Sequence, residues 1–257
     1  YHPLWRERRD RHKFERVAAA ATLLPDVRAE VVRDLRRKGM PLERAAAVAV
    51  RLLDEGYFRI GNDVYADRHG SFGLTTLLRR HVRRRGDELL FRFTGKSGIE
   101  HLVTIREAQV VRAVESLRRR RDPGERLLAY RTPAGWADLP SGTVNAYLAG
   151  RFGGEFTAKD FRTWHATVIA AEELARSEEP GATKASRERA VRAAVAAVAS
   201  YLGNTPAVAR ASYIDPRVVE SYRRGTTITL VAVDAAGSPE ERQAAVEAAV
   251  LKLLGAG

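Results

Sequence analysis

The sequence predicts an α+β protein, mainly α, with a small three-stranded antiparallel sheet. Three observations carry this. Prolines just inside, and glycines just past, apolar stretches punctuate most of the chain as helices. Between Leu78 and Ile105 the apolar spacing drops to a period of two, interrupted by two glycine-bearing turns. From Arg106 onward the helical spacing returns. No internal repeat and no clean domain boundary is visible, so residues 1–257 read as one domain, long enough to bury a real core.

In order, a first helix is expected from Pro3 through the alanines at 18–21. Pro25 and Gly39 bracket a second, and Pro41 and Gly56 a third. In the third, Ala45, Val48, Leu52 and Leu53 recur at helical spacing and should face a core. Tyr57 to Asn62 is a short apolar-and-basic junction, and Ser71 to Leu77 has room for one helical turn. Strands are expected over Leu78 to Arg84, Glu88 to Thr94 and Ile99 to Ile105. Arg85-Gly86-Asp87 and Gly95-Lys96-Ser97-Gly98 form the turns of this meander, with Lys96 at the second tip. Glu107 to Arg119 is a helix broken by Asp122-Pro123-Gly124, and a loop follows the short apolar Leu127 to Tyr130 as far as Pro140.

Ser141 or Thr143 is placed to cap a helix over Val144 to Arg151. Thr157, with Asp160 three residues on, is placed to cap a long helix. A connector at Glu179-Pro180-Gly181 leads to an alanine-rich helix over 184–200. Thr205-Pro206 opens a short helix to Tyr213, with Asn204 just outside it. Such a helix rises about 10 Å, so the Asn204 and Tyr213 side chains meet at one point only if the tyrosine leans back or the helix shifts. Asp215-Pro216 opens another helix that Gly225 ends. Thr226 to Val233 reads equally as a strand or a buried turn, and Ser238-Pro239-Glu240-Glu241 caps a final amphipathic helix.

The net charge is +12, mostly from arginine runs such as 79–80, 83–85 and 118–121. Guanidinium forks match phosphate geometry, and a basic balance of this size points to nucleic acid. It also fits a solvated basic face. The chain has no cysteine, which excludes disulfides and thiolate metal sites and suits a reducing compartment. No membrane-length apolar run, signal peptide, Walker A loop or metal-spaced His/Asp/Glu group is visible. The chain starts at Tyr1 rather than Met, as a fragment would.

Taken singly, Arg59, Lys96, Arg162 and Tyr213 each have an ordinary structural reading. Taken together they are the parts that phosphoryl transfer to a tyrosine requires. A phenol, with a pKa of about 10, is a weak nucleophile. Two guanidiniums can favour the phenolate and neutralise the added charge of a pentacoordinate phosphorus. A lysine at a hairpin tip can protonate the leaving alkoxide, and one more donor completes the shell.

These segments resemble the catalytic domain of type IB DNA topoisomerases, in the bacterial and poxvirus-like branch. Tyr1 to Arg6 resembles the family's tyrosine–tryptophan–basic opening. Phe58-Arg59-Ile60-Gly61-Asn62 matches the first-arginine segment, and Phe93-Thr94-Gly95-Lys96 the lysine hairpin. Lys159-Asp160-Phe161-Arg162-Thr163 matches the second-arginine segment, and Gly203 through Tyr213 the nucleophile segment. The likeness runs from Tyr1 to about Tyr222, and the tail beyond Arg224 carries no transferable motif. Asn204 stands where the poxvirus enzymes have histidine; it can donate a hydrogen bond but does not titrate.

The resemblance implies Tyr213, Arg59, Lys96, Arg162 and Asn204 as catalytic residues, with Lys159 and Thr76 contacting the DNA backbone. It further implies double-stranded DNA as partner, a monomer in the cytoplasm at the bacterial nucleoid, and no cofactor or metal. The resemblance leads one to expect that the family's small β-rich N-terminal domain is missing ahead of Tyr1, and with it weaker and more salt-sensitive DNA binding than for an intact enzyme. The alternative is a tyrosine recombinase, which shares the catalytic logic. Recombinases usually carry histidine three residues before the second arginine, where this chain has Lys159.

Overall fold

The computed structural model describes residues 3–61, 70–154, 156–177 and 183–255, with side chains from residue 11 onward. The side chains of Tyr1 to Arg6, the junction residue Asn62 and the expected connector at 179–181 lie outside the described residues. Helices dominate, and they frame one three-stranded antiparallel sheet, as the expected mainly-α member of the α+β class requires. The described residues divide into two compact units, 26–161 and 1–25 with 162–257.

In the unit 26–161 the organising element is α3 (Leu42–Gly56), which follows α2 (Leu24–Leu35). Ala45, Val48, Leu52 and Leu53 of α3 are buried, as their spacing predicts, and Ala46, Ala47, Ala49 and Val50 are buried with them. Small alanines let neighbours approach α3 on nearly every side, and such a helix belongs in the middle of a layer. It is enclosed by β3 (Glu100–Ile105), α4 (Ala108–Arg118), β4 (Ala129–Thr132), α5 (Ser141–Phe152) and the turn Leu74–Thr76. Full burial of one leucine side chain contributes about 1.5–3 kcal/mol, so Leu52 and Leu53 are principal anchors.

The sheet has the order β1 (Val82–Arg85), β2 (Glu88–Thr94), β3. Arg85 pairs with Glu88 across a two-residue turn, where Gly86 takes a φ of 59°. Thr94 pairs with Glu100 across the Lys96–Gly98 turn. Leu89, Phe91 and Phe93 alternate inward from β2.

Three local expectations are corrected. Leu78 to Arg84 is not a continuous strand: Arg79–His81 is a 3₁₀ turn in which His81 Nδ1 accepts from Leu78 N at 3.1 Å. The Arg79 guanidinium reaches the carbonyls of Arg120 at 2.8 Å and Asp122 at 2.7 Å, and those contacts draw the segment off the sheet. The expected loop after Tyr130 is a hairpin, β4 paired with β5 (Gly135–Asp138). Neither Ser141 nor Thr143 caps α5, which starts a turn earlier with Pro140 as its N-cap.

In the other unit, α1 (Pro3–Ala21) accompanies the 162–175 portion of α6 (Ala158–Ala175), then α7 (Lys184–Leu202), α8 (Pro206–Ser212), α9 (Pro216–Arg223), α10 (Val231–Asp234) and α11 (Pro239–Leu254). Thr226 to Val233 resolves as irregular chain followed by α10 rather than as a strand. The tail beyond Arg224, silent as sequence, is structural. Trp164, 1% exposed, donates from Nε1 to Glu247 of α11 at 3.1 Å. Arg217 of α9 donates to the terminal carbonyl of α11 at Leu254. Among the described residues no helix is long and apolar enough to cross a membrane, and no three His, Cys, Asp or Glu are grouped to hold a metal.

Candidate active site

Arg59 leaves α3 through Tyr57, whose left-handed φ of 54° turns the chain at the helix end. Phe58 then drops into the core, its ring 5.1 Å from Phe91 and 5.7 Å from Phe93. With Phe58 pinned, the alternation of an extended backbone sends Arg59 the other way. Its Nη1 lies 3.5 Å from His101 Nε2, and the His101 ring stacks on Phe93 at 5.1 Å. The backbone of 59–60 is clasped by the next segment: Leu74 N donates to Arg59 O and Thr75 N to Ile60 O, both at 2.8 Å.

The same segment reaches the lysine hairpin, because Phe72 N donates to Thr94 O at 2.8 Å. Residues 72–75 therefore tie the Arg59 segment to the base of the Lys96 turn. Lys96 is exposed, and Ser97 and Gly98 take φ values of 64° and 73° to close the turn. Thr76 is fully enclosed. Its hydroxyl accepts from Gly73 N at 2.9 Å and donates to Gly73 O at 3.0 Å. In this conformation the Thr76 side chain is bonded to Gly73 and shapes the clasp. Lys159 is exposed on the first turn of α6.

Gly73 shows how closely the clasp fits. A Cβ added there would lie 2.4 Å from Gly61 Cα and 2.9 Å from Arg59 O, both backbone atoms that cannot swing aside. The Gly73 φ of −131° is open to any residue, so the clash alone decides the outcome. Gly73→Ala is expected to destabilise the protein by about 1–3 kcal/mol, as overpacking does. Chemical denaturation measures it, and an unchanged midpoint would contradict the clasp.

The end of α3 carries an ionic cluster. Arg51 bonds to Glu107 at 2.7 Å, to Asp54 at 3.1 Å and to Glu55, while Arg28 grips Asp54 at 2.7 and 2.9 Å. Three carboxylates thus meet two guanidiniums. Burial pushes the Glu55 carboxyl up to about 8, against the pull of Arg51 and with the hydrogen bond to Glu107 adding to the rise. The folded state therefore keeps a proton that the unfolded chain releases near its ordinary value of 4.5. This contribution is full below pH 4.5 and is lost as the pH rises towards 8. Glu55→Gln is expected to flatten that part of the stability profile. Melting curves of both proteins across the window check it; parallel profiles would refute it.

Arg162 and Tyr213 meet within the second unit. Asp160 sets the start of α6 by accepting from Thr157 N at 2.9 Å and Thr157 Oγ1 at 2.7 Å. Arg162, 4% exposed, donates from Nη2 to Leu202 O at 2.7 Å. That carbonyl is among those a helix end leaves unsatisfied, and a cation there also suits the negative end of the α7 dipole. The guanidinium carbon lies 5.5 Å from the centre of the Tyr213 ring. His165 is buried three residues further along α6.

Asn204 is placed by the end of α7. Gly203 takes a φ of 59° and donates to Ser200 O at 3.2 Å, while Asn204 N donates to Ala199 O at 2.9 Å. These are the two bonds of a Schellman motif. The chain restarts as α8, where the Thr205 hydroxyl accepts from Val208 N and Pro206 fills the first position, as expected. Tyr213 falls just past the end of α8 rather than inside it, with φ −126° and ψ −31°, and is half-buried. The Arg162–Leu202 bond spans 40 positions, and only the helix-ending Gly203 hinted at a carbonyl needing a donor there.

The chain is similar to known proteins over most of its length. The family model described as "Eukaryotic DNA topoisomerase I, catalytic core" matches residues 3–228. The chain is 26% identical over 222 residues to "DNA topoisomerase 1B" of Acanthamoeba polyphaga mimivirus, covering 83% of this chain and 65% of that relative. It is 27% identical over 167 residues to "DNA topoisomerase 1" of Schizosaccharomyces pombe, covering 64% of this chain and 19% of that relative. The chain thus spans just under two thirds of the mimivirus relative's length and about a fifth of the yeast relative's. With more than half its length matched, the chain belongs to the family of the DNA topoisomerase I catalytic core.

Proposed function

We propose that this chain is a type IB topoisomerase catalytic domain spanning residues 1–257, acting on double-stranded DNA. The Tyr213 hydroxyl releases its proton to solvent and its oxygen attacks a backbone phosphorus, forming the tyrosyl ester to the 3′ phosphate as the bond to the 5′ oxygen breaks. Arg59, Arg162 and Asn204 donate to the non-bridging oxygens and stabilise the charge that builds there. Lys96, with Arg59, delivers a proton to the departing 5′ oxygen. The free end swivels, relaxing supercoils of either sign. The 5′ hydroxyl then attacks the phosphotyrosine, returns the proton and restores Tyr213. The ester conserves the energy of the broken bond, so no ATP is consumed and the residues named need neither metal nor cofactor.

The observation that carries this reading is the Arg162 guanidinium over the Tyr213 ring, 5.5 Å away. It supports the reading because a guanidinium, a group suited to binding phosphate, lies beside the phenol within one compact unit. Lys159, exposed at the start of α6, is assigned to backbone phosphate. The test is relaxation of supercoiled plasmid in EDTA, with denaturant trapping of a protein–DNA adduct and identification of the attached end. A requirement for metal, or a 5′-linked adduct, would refute the reading. Strand exchange in place of relaxation would indicate a recombinase.

A further inference from the structure

The helix that leads into the proposed nucleophile is poorly held by its own packing. α8 has seven residues, and Ala209 alone is buried among them. A helix so short and so exposed is not stable by itself, and tertiary anchors must fix it. Two such anchors grip the backbone on either side of Tyr213. Lys13 of α1 donates from Nζ to Ser212 O at 2.9 Å, across 199 positions of sequence. Thr167 of α6, 2% exposed, stands between Tyr213 and Asp215. Its hydroxyl accepts from Asp215 N at 3.1 Å and directs its hydrogen to Thr163 O at 2.9 Å, with Tyr213 O at 3.4 Å.

We propose that Thr167 and Lys13 are positioning residues for the nucleophile, clamping the backbone at 212–215 so that the Tyr213 phenol holds its place beside Arg162. The proposal rests on the reading of Tyr213 given under Proposed function. Thr167 lies five residues after Arg162 on the same helix, so one rigid element fixes both the guanidinium and the turn bearing the phenol. Lys13 does for the end of α8 what Thr167 does for the start of α9. Its ammonium also suits the negative end of the α8 dipole. Neither side chain is assigned contact with the phosphate, so their effect should fall on nucleophile placement and leave leaving-group protonation alone.

The experiment measures single-turnover cleavage at a mapped site with protein in excess, for the parent, Thr167→Val, Thr167→Ser, Lys13→Met and Lys13→Arg. DNA affinity and melting temperature are measured beside it. A second duplex carries sulfur at the bridging 5′ position, where a thiolate leaves without a proton. Thr167→Val and Lys13→Met are expected to cleave about 10–100-fold more slowly, the scale on which small misplacements act. DNA affinity should be unchanged, and Thr167→Ser and Lys13→Arg should recover most of the rate. The bridging sulfur should rescue Lys96→Ala but neither clamp variant. Parental rates in Thr167→Val and Lys13→Met, or their rescue by sulfur, would overturn the clamp alone. An adduct that persists in Tyr213→Phe would overturn the nucleophile assignment and the clamp with it. If Thr167→Val does not fold, the half-buried Lys13 carries the test.

Discussion

Tyr213→Phe is expected to abolish the covalent adduct and plasmid relaxation while leaving DNA binding near the parental level. The substitution removes one oxygen and keeps the ring. The ring's contact with the Arg162 guanidinium, 5.5 Å from centroid to carbon, does not depend on that oxygen. Tyr213 is half-buried at the end of an exposed helix, so its effect on stability should be about 0.5 kcal/mol or less. Chemistry and fold are therefore separable at this position. Without the hydroxyl no ester forms, and no other nucleophile in the proposed mechanism can replace it. Denaturing gels of protein bound to labelled duplex, with filter binding in parallel, measure the two quantities. An adduct that survives the substitution would mean that another residue attacks the phosphate.

Much of this site was legible as punctuation. Thr205-Pro206 announced the start of α8, and the Thr205 hydroxyl does cap it. Glu88 to Thr94 alternates cleanly and forms β2 with those bounds. Both signals are local: a cap, a pleat and a turn depend on residues a few positions apart. The features that escaped depend on distant partners. β4 and β5 have four residues each and are mostly half-exposed, so no run of alternation marked them. Thr226 to Val233 is rich in β-branched residues, yet strand propensity needs a neighbouring strand to act on. The burial of Thr76 goes with the close fit of Gly73 against Gly61, which no spacing reveals. The clasp of 72–75 and the bond from Arg162 to Leu202 likewise join segments with no sequence signal linking them.

Arg162→Ala is the second large effect expected, and it should divide into two parts. One is structural. Leu202 O would lose a charge-assisted hydrogen bond at a buried helix end, which costs about 1.5–3 kcal/mol. The other is chemical. Removing a guanidinium from a phosphoryl-transfer site costs on the order of 10³-fold or more in the cleavage step. The two parts respond differently to conditions. Loss of stability lowers the folded fraction, so cooling or added protein restores it. Loss of charge at the phosphate lowers the single-turnover rate of protein that is already folded and saturated with DNA, and neither treatment helps. Arg162→Lys separates them further. An ammonium can still donate to Leu202 O, so stability should largely return. It cannot offer a planar fork to a phosphate and a carbonyl together, so the rate should recover only in part. If instead the lysine variant cleaved at the parental rate, Arg162 would be holding α7 and no more. The phosphate clamp would then have to be sought elsewhere.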